Sequence, residues 1–89
     1  MAKRSKQPVL KYRELHTLLT RCGAREVRQR GSHVIWEYSG VFAVFTPHGG
    51  GEDVPRNEIR RARNAWKLRP EDGVSDDQFF NGDWGARKA

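Results

Sequence analysis

The chain has 89 residues, of which 31% are charged, 36% hydrophobic and 10% aromatic, and its formal net charge is +6. That length holds one small domain with a modest core and leaves no room for a second catalytic domain. The composition excludes a disordered chain up to about residue 69, the single Cys22 excludes an internal disulfide, and no apolar stretch nears the roughly 18 residues that span a membrane.

The charge is unevenly spread. Residues 1–69 hold 15 Lys/Arg against 6 Asp/Glu, a net of +9, whereas residues 70–89 hold 2 against 5, a net of −3. A body this basic favours a polyanionic partner. Residues 1–8 are expected to form a basic arm, 9–69 the domain and 70–89 an acidic, aromatic C-terminal tail. No apolar signal-peptide core follows the basic start, so a cytoplasmic location is expected.

From Lys11 to Cys22 the apolar residues Tyr12, Leu15, Leu18, Leu19 and Cys22 recur at helical spacing. Gly23 serves as the C-terminal stop. Three strand-like segments follow, over 25–30, 33–38 and 41–46. Gly31-Ser32 and Ser39-Gly40 separate them as two-residue hairpin loops. Counting from these turns sets Arg30 opposite His33, Arg28 opposite Ile35 and Val27 opposite Trp36. In the second hairpin Trp36 faces Ala43, Val34 faces Phe45 and His33 faces Thr46. One side then carries Val27, Val34, Trp36, Tyr38, Val41, Ala43 and Phe45 as the core face. The other carries Glu26, Arg28, Arg30, His33, Ile35, Glu37, Phe42, Val44 and Thr46. This register sets Glu26 against Glu37, an unfavourable like-charge pair.

Pro47 ends the third strand, and a glycine loop follows it. A second helix is expected from about Pro55 to Leu68, with Asp53 as its N-cap. Arg56, Arg60, Arg61, Arg63 and Lys67 make it strongly basic. Ile59, Ala62, Arg63 and Trp66 mark its thin apolar stripe. Trp36 and Trp66 are core residues on this reading. Ser75 caps a short third helical turn, and the tail aromatics Phe79, Phe80 and Trp84 dock on the body or on a partner. The order α-β-β-β-α gives an α+β domain, a three-stranded antiparallel sheet with two helices on one face, as in double-stranded-RNA-binding domains.

Gly31-Ser32-His33 is the segment that points to chemistry. A histidine exchanges protons near neutral pH, and neighbouring arginines grip a phosphate in a bidentate fork. Arg28 and Arg30 with His33 therefore suggest phosphate-ester chemistry on a nucleic acid. Ser32 shapes the turn rather than acting as a nucleophile, because no triad is legible around it. His16, on the first helix, is a surface residue. No ligand spacing among the histidines supports a metal site, and no cofactor is expected.

The residues resemble a known family. Lys11-Tyr12-Arg13-Glu14-Leu15, Leu18-Leu19, Gly23 and Val27-Arg28-Gln29-Arg30-Gly31-Ser32-His33 are similar to the HicA-type toxins, small mRNA interferases. Thr46-Pro47-His48-Gly49 and Val54-Pro55-Arg56-Asn57-Glu58-Ile59-Arg60 resemble the family's downstream stretches. The chain departs from the pattern in placing its histidine directly after Pro47, and in its longer tail. The resemblance implies a double-stranded-RNA-binding-like fold and metal-independent cleavage of mRNA. It also implies His33 as the catalytic residue and a HicB-type antitoxin that covers the active face. Gly31, Ser32, Arg28, Arg30, Arg56 and Arg60 are the expected RNA and phosphate contacts. His48 or water protonates the leaving group. The alternative is a non-catalytic module that grips structured RNA by shape.

Overall fold

The computed structural model describes residues 9–47, 49 and 51–85. The basic arm at 1–8 and His48 lie outside them. The elements are α1 (Tyr12–Arg21), β1 (Arg25–Arg30), β2 (His33–Tyr38), β3 (Val41–Phe45), α2 (Arg56–Trp66), a 3₁₀ turn at Pro70–Asp72 and α3 (Asp76–Asn81). The strands form one antiparallel sheet in the order β1-β2-β3. The expected α+β, double-stranded-RNA-binding-domain-like layout is therefore what the chain adopts. No described helix is long and apolar enough to cross a membrane.

Tyr12, Leu15, Leu18 and Leu19 bury the stripe of α1, and Val34, Trp36, Ala43 and Phe45 bury one face of the sheet. Large Trp36 opposite small Ala43, and Val34 opposite Phe45, give β2 and β3 the expected register. Ile59, Ala62 and Trp66 bring α2 onto the same core. The Trp66 indole N–H donates to the Val41 carbonyl (2.9 Å) and ties α2 to the start of β3.

β1 departs from strict alternation. Arg28 and Arg30 pair with Ile35 and His33 as counted, but the register then shifts between Glu26 and Arg28. Val27 is the extra residue of a β-bulge. It faces no Trp36 and is 39% exposed rather than core. Glu26 takes the place opposite Trp36, on the helix-covered side, and approaches His16 Nε2 at 3.4 Å. Arg25 then stands opposite Glu37 and binds its carboxylate at 2.7 Å. The bulge thus replaces a glutamate–glutamate opposition with an ion pair. The Arg25 guanidinium, and next the Gly40 backbone N–H, hold the Glu37 carboxyl below its ordinary range.

Two helix boundaries also differ from expectation. Pro55, not Asp53, occupies the N-cap of α2. Asp53 instead bridges to Lys11, by backbone pairing and by a 2.9 Å salt bridge. Tyr12 N–H to Glu52 O (3.0 Å) and Val54 N–H to Leu10 O (2.8 Å) complete this clamp between the start of α1 and the entry to α2. At its other end α2 stops at Trp66, where Lys67 turns left-handed with φ 58°.

The segment after α2 packs inward. Ser75 caps α3 as expected, accepting from Gln78 N–H at 3.1 Å. Phe79 and Trp84 are both 1% exposed and stack at 5.3 Å with nearly parallel rings. Tyr38 meets Trp84 edge-on at 5.1 Å. Gly85 closes the arrangement: a Cβ there would lie 2.2 Å from the Cys22 carbonyl oxygen, so only glycine permits that approach.

Candidate functional site

His33 is the first residue of β2 and sits across the Gly31-Ser32 turn from Arg30. Gly31 has φ +58°, with open space where a side chain would stand. The turn therefore needs glycine for its backbone conformation and not for room, as in a hairpin loop with a positive φ at its first position. Ser32 is exposed, and its hydroxyl has no partner among the described residues. Arg28, Arg30, His33 and Ile35 share the sheet face that the helices leave open, and the three ionisable side chains are all exposed. No described residue hydrogen-bonds the His33 ring. Neither Arg28 nor Arg30 pairs with a carboxylate among the described residues, because the open-face carboxylate Glu37 is held by Arg25. The face thus offers an imidazole beside two uncompensated guanidiniums, the chemistry that binds a phosphodiester and exchanges a proton with it.

His33 also lines a groove of about 650 Å³ between β3 and α2, with Phe42, Val44, Thr46, Arg61 and Asn64 among its walls. Thr46 follows the last paired residue of β3. Its hydroxyl is turned to the Glu58 carboxylate rather than to His33. The Thr46 backbone N–H donates to the same carboxylate at 3.3 Å, and the Tyr12 hydroxyl donates to it at 2.7 Å. Glu58 is 5% exposed, and all of these donors converge on it. This node fixes the end of β3, beside His33, to both helices. Burial first, and then the Glu58 hydrogen bond and charge, push the Tyr12 phenol above its ordinary range.

The other residues singled out from the sequence fall in different places. Arg56 and Arg60 are exposed on α2, one helical turn apart, and do not line the groove with His33. Arg61, which does, was counted only as part of a basic helix. Arg63 belongs to the fold and not to the site. It is 5% exposed and donates to the carbonyls of Leu68 (2.7 Å) and Val74 (2.9 Å) and to Asp76 (2.7 Å). Its guanidinium carbon lies 4.8 Å from the centre of the Phe79 ring. His16 is exposed on α1 and meets Trp36 edge-on at 5.1 Å. His48 lies outside the described residues. Phe42 falls on the His33 face by counting, as expected, although it was not singled out for the site; Asn64 and Glu58 carried no sequence signal for a site, since their partners are distant in the chain. Among the described residues no group of three His, Cys, Asp or Glu side chains is placed to hold a metal ion.

No curated protein and no solved structure matches the chain significantly. The model of the HicA toxin of bacterial toxin-antitoxin systems matches residues 12–68, which run from the start of α1 to just past α2 and contain the Gly31-Ser32-His33 turn, both flanking arginines and the β3–α2 groove. On that match, the chain belongs to the HicA toxin family and is a toxin of a toxin–antitoxin system.

Proposed function

We propose that this toxin is an endoribonuclease that cleaves mRNA, with His33 as its general acid or base. One observation carries the reading: an exposed imidazole stands across a tight turn from Arg30, with Arg28 on the same face and no carboxylate neutralising either arginine. The substrate's 2′-hydroxyl is the nucleophile. His33 takes its proton as the oxygen attacks the adjacent phosphorus, and Arg28 and Arg30 stabilise the charge that grows on the phosphoryl oxygens. The bond to the 5′ oxygen breaks, leaving a 2′,3′-cyclic phosphate, and that oxygen takes a proton from water or from His48. Gly31 and Ser32 let the backbone come close to the strand, and Arg56 and Arg60 on α2 hold flanking phosphates. The family's toxin–antitoxin character supports a HicB-type antitoxin as the partner that covers this face, and action on mRNA places the pair in the cytoplasm. On this reading residues 9–69 are the HicA-like unit and 70–89 a C-terminal segment added to it, a division that the family match over residues 12–68 supports.

The test is purified protein with mRNA in EDTA. His33→Ala is expected to lower cleavage roughly 10²- to 10⁴-fold while the melting temperature and RNA affinity stay at wild-type values. Tight RNA binding with no cleavage by the wild type would make the chain a binding module instead.

A further inference from the structure

The groove between β3 and α2 has features that proton transfer at His33 does not need. Phe42 is 62% exposed and Val44 42% exposed on its strand wall. Arg61 and Asn64 stand on its helix wall, His33 lines it as well, and among the described residues no carboxylate does. Arg61 has no carboxylate partner among the described residues. A volume of about 650 Å³ falls within the roughly 300–1,000 Å³ of small-ligand sites. A solvent-facing aromatic ring, a free guanidinium and a primary amide are the three groups that hold a nucleotide: a stacking surface, a phosphate clamp and a hydrogen-bonding edge.

Resting on the ribonuclease reading, we propose that this groove holds one unpaired nucleotide of a single-stranded RNA next to the scissile phosphate. The base stacks on Phe42, Arg61 grips the neighbouring phosphate, and the Asn64 amide contacts the base edge. Charge decides between RNA and a protein segment as occupant. The groove is cationic, no carboxylate among the described residues lines it, and Glu37, opposite Phe42, is already paired with Arg25; it opens beside the Arg28–Arg30 face, so a polyanion is attracted along its length. The stacking contact decides between single strand and duplex. A base already stacked inside a helix presents no face to Phe42, whereas a splayed base does. The toxin is therefore expected to select unpaired segments, with the base preference set at Asn64.

The experiment uses a short single-stranded RNA that carries 2-aminopurine and is 2′-O-methylated, so that it binds without being cut. Wild type is expected to quench the fluorophore on binding. Phe42→Ala is expected to weaken binding roughly 5- to 100-fold and to abolish the quench, and Phe42→Trp to restore both. Arg61→Ala is expected to lower the slope of log affinity against log salt by about 0.7, the value for one lost phosphate contact on a single strand. Phe42 and Arg61 are both exposed, so the melting temperature of each variant is expected to stay at the wild-type value. Unaltered affinity and quench in Phe42→Ala would overturn the proposal, as would equal binding of a duplex of the same sequence. Loss of antitoxin binding alone in Phe42→Ala would also overturn it, by assigning the groove to a protein. If the ribonuclease reading fails while the groove holds, the same RNA is bound and quenched through Phe42 but an unmodified RNA is never cut.

Discussion

The open face of the sheet and the C-terminal segment use the same residue types to opposite ends. Around His33, the guanidiniums of Arg28, Arg30 and Arg61 and the ring of Phe42 face solvent. Beyond α2, Arg63 has its donors engaged by two carbonyls and Asp76, and Phe79 and Trp84 are 1% exposed. An arginine whose three guanidinium nitrogens are each bonded within the chain belongs to the fold, and one with none bonded is available to a ligand. Phe79 and Trp84 therefore complete the core shared with α1, β2 and α2, while the site is what remains unsatisfied on the open face of the sheet and along the β3–α2 groove beside it.

Trp84 gives the largest expected separation between the two regions. Trp84→Ala is expected to cost about 3–5 kcal/mol, a large part of the roughly 5–15 kcal/mol that stabilises a small domain. Thermal unfolding reads this as a fall of about 4–8 °C per kcal/mol for a domain of this size. A melting temperature within two or three degrees of wild type would show that the C-terminal residues add nothing to the core.

Two arginines on one helix then make a closer pair. Arg63→Met leaves the Leu68 and Val74 carbonyls without their donor and is expected to destabilise by about 2–4 kcal/mol, with RNA affinity intact below the unfolding transition. Arg61→Met is expected to change stability by less than about 0.5 kcal/mol and to weaken RNA binding. Urea titration and RNA binding on the two variants check the crossover, and matching phenotypes would erase the distinction between satisfied and available cations.

The smallest effect lies in the 3₁₀ turn. The Arg69 side chain, binding both carboxylate oxygens of Asp72 at 2.7 and 3.1 Å, holds that carboxyl down to about 2 from 3.8, with the Arg69 backbone N–H adding to it and desolvation opposing. A depressed carboxyl stabilises the fold fully above its unfolded value and loses that contribution as pH falls through the folded value. Acid unfolding of Asp72→Asn, followed by circular dichroism, is expected to show a shallower loss between about pH 4 and pH 2 than wild type. An unchanged acid limb would mean that the pair is broken in solution.

Most of the architecture is legible in the residues because its signals are local. The stripe of α1, the two hairpin loops and the Trp36–Ala43 pairing each depend on neighbours a few positions away. What escaped depends on distance. Glu58 looks like a first-turn acid suited to a helix N-terminus, and its burial follows only once Tyr12, 46 positions earlier, and Thr46, 12 positions earlier, are brought to it. Arg63 carried a mixed signal, since it fell in the apolar stripe and in the basic count at once. Its partners, the Leu68 and Val74 carbonyls and Asp76, lie 5, 11 and 13 positions later, past the end of α2. On the site, His33, Arg28 and Arg30 could be placed together by counting from one turn. Phe42 falls on the same face by counting from the second turn, whereas Arg61 and Asn64 could not be placed, because they meet His33 only through the packing of α2 on β3.

The bulge at Val27 has a consequence for the arithmetic of β1. In an unbroken strand, odd and even positions look opposite ways, so Arg25 would point to the helices while Arg28 and Arg30 point away. One extra residue changes the parity at that point, and all three arginines come to the same face although their numbers are not all even. Two positions remain uncommitted and the third anchors Glu37. Deleting Val27 removes the extra residue and leaves an unbroken ladder, in which Arg25 still opposes Glu37, Glu26 still opposes Trp36 and the three arginines keep one face by simple alternation.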